Sequence, residues 1–157
     1  MLKSINLQFT NVNHQQIRFN ILHTLYQKHY SPELEQPQDT EKIIQESGLG
    51  DIDKNQLAGD IAYLEDKNLI KGMSLVGHVY SPWIKITSYG IDSVENVVDR
   101  FVEKVEGSDT NIEVKSRIKE LSEETDTSKK IKSIIEFAKT NTGLLADLLS
   151  IVKSFLG

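Results

Sequence analysis

A chain of 157 residues with 38% apolar and 26% charged residues can bury a core and stay in water, which excludes an intrinsically disordered chain. It has no cysteine, so disulfides, thiolate metal sites and thiol nucleophiles are excluded as well. The formal net charge of −5 is carried by residues 1–107, with 10 Lys+Arg against 15 Asp+Glu, while residues 108–157 hold 8 of each; nucleic-acid binders usually concentrate positive charge, so bulk charge speaks against that class.

The first residues, MLKSINLQFT, lack an apolar core of signal-peptide length, and no run is long enough to cross a bilayer, so the cytoplasm is the expected compartment. Ile5, Leu7 and Phe9 alternate with Asn6 and Gln8, the period of a short strand. From Asn13 to Tyr30, Ile17, Phe19, Ile21, Leu22, Leu25 and Tyr26 surround most of a helix, which marks it as central. Ser31-Pro32 ends it, and the polar loop ELEQPQ follows. Asp39 or Thr40 then caps a short helix that buries Ile43 and Ile44 and closes at Ser47-Gly48.

Asp53 is the next N-cap, opening a helix to about Asn68 whose inward stripe is Leu57, Ile61 and Leu64. Asn55, Gly59, Ala62 and Asp66 lie opposite, Gln56 and Tyr63 lie on one flank, and Asp60 and Glu65 fall nearer the core boundary. Leu69–Val76 and Val79–Thr87 read as two strands around Gly77-His78. Thr87 caps a helix running to about Glu106, with Ile91, Val94, Val97, Val98, Phe101, Val102 and Val105 on one face. Residues 107–127 read as a charged linker or weak helix, and residues 128–157 as two helical runs parted by Asn141-Thr142-Gly143. In the second run Leu145, Leu148, Leu149, Val152 and Phe155 belong to a broad apolar arc that must be buried somewhere. Packing within the chain or in an oligomer is preferred to a membrane surface, because the polar face carries Lys153 alone as a cation.

The order helix, short helix, helix, hairpin, helix resembles the winged helix-turn-helix superfamily over residues 13–106. YLEDKNLIKG resembles the end of that superfamily's recognition helix passing into the wing. IKITSYGIDSVE resembles the last wing strand entering a helix through a Thr-x-x-Gly-Ile pattern. The resemblance implies a mainly α fold with a small β-hairpin wing, here followed by C-terminal helices, giving a domain over residues 1–106, the charged segment and an assembly region. It also implies a DNA-binding protein, a homodimeric transcriptional regulator. Its second helix would present Lys54, Asn55, Gln56 and Tyr63 to the groove of duplex DNA, with His78 and Lys85 on the backbone.

The superfamily also binds proteins through the same faces, so a protein-interaction module is the alternative. Two features favour it: a wing with Tyr80 and Trp83 but only Lys85 as a cation, and small residues, Gly59 and Ala62, on the outward helix face. Trp83 has a blander reading too, as a core residue, and that is the preferred one.

Catalytic patterns fail one by one. DIDKN at 51–55 has Gln56 and Ala62 where a calcium loop needs Gly and Glu. His14, His23, His29 and His78 do not stand at zinc spacing, and Gly48-Leu-Gly50 lacks the Lys-Ser/Thr of a phosphate loop. No enzyme and no cofactor are expected.

Overall fold

Asn13 opens the first of the described helices by accepting the amide of Gln16 at 2.8 Å. The structure, a computed structural model, describes residues 13–30, 37–109 and 111–156, and the strand expected at residues 5–9 lies outside them. Among the described residues the fold is mainly helical, with seven helices and a small antiparallel sheet of three strands. The chain divides into two compact units, Met1–Ile91 and Asp92–Gly157.

In the first unit, α1 (His14–His29) is apolar on most sides because helices and sheet surround it. It packs on α2 (Thr40–Glu46), α3 (Lys54–Asp66) and β3 (Trp83–Ile86). Ile17, Ile21, Leu22, Leu25 and Tyr26 meet a core completed by Ile43, Leu57, Ile61, Leu64 and Ile84, all at most 2% exposed. Each such side chain contributes about 1.5–3 kcal/mol by leaving water.

The turn between α2 and α3 depends on Gly48, whose φ of 74° suits a residue without a Cβ. The amide of Leu49 then reaches back to the carbonyl of Ile44 at 3.0 Å, closing α2. α3 ends in the same way with an asparagine. Asn68 takes φ 63°, and the Leu69 amide donates to the Leu64 carbonyl at 3.0 Å.

The sheet has the order β1-β3-β2, where β1 is Gln38–Asp39 and β2 is Ile70–Met73. β1 was not expected: Pro37, Gln38 and Asp39 carry no apolar alternation, and only pairing with β3 makes two of them a strand. The two ribbon strands are also shorter than Leu69–Val76 and Val79–Thr87. Their ladder ends at the pair Met73↔Trp83, and residues 74–79 form an exposed loop around Gly77, after which Tyr80 and Pro82 are half-buried and Ser81 is buried.

α4 (Ser88–Glu106) starts where expected, and its first turn explains the Thr-x-x-Gly pattern. The Thr87 hydroxyl donates to the Asn68 carbonyl at 2.6 Å and accepts the Gly90 amide at 2.9 Å. A Cβ on Gly90 would lie 2.2 Å from the Leu69 carbonyl oxygen, so only glycine lets this turn pass so close to the backbone leading into β2.

In the second unit α4 supplies Val94, Val97, Val98, Phe101 and Val105 as buried residues. The charged segment holds a helix of its own, α5 (Ile112–Ser122), capped by Asn111. α6 (Thr127–Lys139) and α7 (Thr142–Leu156) follow, capped by Asp126 and Asn141, and pack on each other.

Candidate interaction surface

The outward side of α3 is laid out as its 3.6-residue period requires. Asn55, Gly59, Ala62 and Asp66 are exposed, and Gly59 has nothing within 4 Å of where a Cβ would stand. Asp53 caps the helix by accepting the amides of Asn55 and Gln56 at 3.0 and 3.3 Å. Lys54 is 68% exposed, and its Nζ lies 3.6 Å from Glu41 Oε1 on α2. That same oxygen accepts the Tyr80 hydroxyl at 2.7 Å. Burial, and then Glu41, raise the Tyr80 phenol above its usual range. Lys54 and the β2–β3 loop therefore share one carboxylate, which sets a negative charge beside Lys54.

Tyr63 is not a free reading residue. The Arg18 guanidinium stacks 3.5 Å from its ring centre, and the Lys67 ammonium stands at 5.6 Å. Arg18 is held in turn by Asp60, which is 1% exposed and accepts Arg18 Nε at 2.9 Å and His14 Nδ1 at 2.9 Å. Asp60, Arg18 and Tyr63 thus tie α3 to α1 through a part-buried polar network.

The base of the β2–β3 loop is fastened to two helices. Thr40 donates its hydroxyl to the Ser81 carbonyl at 2.6 Å and its amide to the Pro82 carbonyl at 2.9 Å. The Ser81 hydroxyl donates to the Glu65 carboxylate at 3.3 Å. Burial raises the Glu65 carboxyl above its ordinary value, the Ser81 hydrogen bond pulls it back in part, and Asp66 adds to the rise.

Beyond that base the loop carries large apolar side chains in water. Leu75, Val76 and Val79 are exposed at the tip beside His78, and Met73 and Trp83 are exposed where the ladder ends. Trp83 is 43% exposed and faces outward with Lys85, while Ile84 and Ile86 point inward, so the preferred core reading of Trp83 is corrected. Strand alternation decides this: Ile84 and Ile86 take the inner face, and Trp83 must take the other. Lys85 stands opposite Lys71 across the ribbon, away from the loop tip that holds His78.

Of the six side chains expected to meet DNA, then, Lys54, Asn55 and Gln56 share the start of α3. Tyr63 is turned to Arg18, His78 is on the wing tip, and Lys85 is on the ribbon. Sequence reasoning missed Glu41 as the link between α2, α3 and the wing, because charge neutralisation between distant residues has no local pattern. It also missed the apolar tip, although SLVGHVY placed three large aliphatic residues around a turn, where solvent was to be expected.

The five residues assigned to assembly are placed differently from one another. Leu148 and Val152 are buried in the second unit, Leu145 and Leu149 are half-buried, and Phe155 is exposed, with the Arg100 guanidinium 5.7 Å from its ring centre. Comparison with family models, with curated proteins and with solved structures finds no match to the chain.

Proposed function

We propose that the first unit is a winged helix-turn-helix domain used to hold a protein, with its apolar wing as the contact. The order of helices and ribbon and the capped Thr-x-x-Gly turn support the finer fold reading. One observation carries the functional reading. From Met73 to Trp83 five large apolar side chains are exposed, and no Lys or Arg occurs between Lys71 and Lys85. Exposed apolar clusters of this kind mark protein contacts, whereas a wing on DNA needs cations for phosphates. The partner is a protein with an apolar groove that admits the wing tip, and the chain acts as an adaptor.

The test compares the tagged full-length chain with its Leu75→Asp/Val76→Asp variant, both recovered from the cells that make it. A protein held in stoichiometric amount by the first and lost by the second is expected. Identical recoveries would overturn the reading.

A second reading, a DNA-binding homodimeric regulator, draws support from exposed Asn55 beside Lys54 at the start of α3, a pairing suited to an adenine edge and a phosphate. Its signature is a shift of duplex DNA at low salt that weakens steeply as salt rises and disappears with Lys54→Glu. That result would displace the protein-docking reading.

A further inference from the structure

The cations missing from the wing tip stand elsewhere in the first unit. A cavity of about 620 Å³, open to solvent, is bounded by the end of α1, the β2–β3 ribbon and the start of α4. Lys28, Lys71 and Lys85 line it together with His29, and among the described residues no carboxylate does. Lys28 is engaged by Glu46 at 2.9 Å. Lys71 and Lys85 have no ion pair among the described residues, yet they are directly opposed in the ladder. Like charges in that position repel, so the arrangement is unfavourable until an anion lies between them.

Two further properties define what fits. Leu25, Ile86 and Ile91 give the cavity apolar lining. At the start of α4, Thr87 engages the amides of Gly90 and Ile91, leaving those of Ser88 and Tyr89, both lining residues, for an acceptor from outside the helix. A positive helix end adds to the lysine field and suits a phosphate group. The volume falls within the range of about 300–1,000 Å³ common for small-molecule sites.

We infer that this cavity binds a small organic phosphate, with the charged group between Lys71 and Lys85 and the apolar part against Tyr89 and Ile91, the lining residues that are not buried in the core. The site uses neither the wing tip nor the outward face of α3, so it stands apart from the docking surface and does not depend on it.

Calorimetric titration of the full chain at matched ionic strength tests this, with sodium pyrophosphate as the probe and citrate as the carboxylate counterpart. Pyrophosphate is expected to saturate one site and to bind more tightly than citrate. Lys71→Gln/Lys85→Gln is expected to weaken it about tenfold, a loss near one hydrogen-bonded charge contact. Lys42→Gln, exposed on α2 outside the cavity, is expected to leave it unchanged.

Thermal melting gives a second readout. Without anion the double variant should melt above the parent chain, because the repulsion is gone, and it should gain less from pyrophosphate. Heat that does not saturate, equal weakening by Lys42→Gln, or citrate binding as tightly as pyrophosphate would each overturn the assignment.

Discussion

Asp60 is the residue on which the joint between α1 and α3 turns. It is 1% exposed and has both His14 and Arg18 on its carboxylate, so its removal leaves a guanidinium that is only 14% exposed without its counter-charge. Breaking one side of a buried pair costs about 3–5 kcal/mol. Asp60→Ala should lose stability on that scale in urea denaturation, and a loss indistinguishable from a surface substitution would show the network to be incidental. Glu65 works in the opposite direction. Its folded-state carboxyl is raised above the unfolded value, chiefly by burial, so its contribution is most favourable below the ordinary carboxylate range and is lost as pH rises through the raised value. Glu65→Gln should therefore raise the melting temperature at pH 7, with the gain shrinking as pH falls into that range. A gain that is flat with pH would rule out ionisation as its cause. At this scale the sequence was partly legible: periodicity put Asp60 and Glu65 near the core boundary. Their partners, Arg18 and Ser81, lie 42 and 16 residues away, and no local pattern pairs them.

The helices were the more legible elements, except α5, whose residues read as a charged linker or weak helix. Asn13, Asp39, Asp53, Thr87, Asn111, Asp126 and Asn141 all accept amides from the first turns that follow them. The strands were not legible in the same way. β1 exists only as a partner of β3, and the longer ribbon strands expected around Gly77-His78 run in part into an exposed loop. Gly90 shows how a motif can carry tertiary information. Gly90→Ala places a methyl against the backbone of Leu69, which cannot retreat as a side chain can. A loss of about 1–3 kcal/mol is expected on thermal unfolding, in the range for overpacking. The β2–β3 loop tip behaves differently, since among the described residues nothing in the fold rests on it. Leu75→Asp/Val76→Asp should change stability by no more than about 0.5 kcal/mol, so any loss of docking by that variant would report on the contact and not on folding.

For the molecule as a whole the decisive division is between two units that bury their own apolar surface. α7 illustrates the consequence. Its amphipathic face was legible, but where that face would be spent was not, because an amphipathic pattern is the same for an internal contact and for a partner. Leu144, Leu148 and Val152 are at most 3% exposed within the chain. Truncation after Asn141 should accordingly remove more helical circular dichroism than the deleted residues account for, as α6 loses its cover. A truncated chain that keeps α5 and α6 and merely changes its oligomeric state would show α7 to be an assembly element. Charge is divided along the chain too: the acidic excess lies in residues 1–107, yet the ribbon and the end of α1 gather lysines around one cavity. Net charge alone hides such a local reversal of sign.

Trp83 is the only tryptophan of the chain, and it stands half in water beside Met73 at the mouth of the wing. The molecule therefore carries its own optical label at the edge of an exposed apolar surface. Selective excitation of one indole reports that single place, free of background from any other. An emission maximum typical of a wet indole should move to shorter wavelength as a partner's surface displaces water from the wing. The loop would thus announce its own occupancy in an unmodified sample.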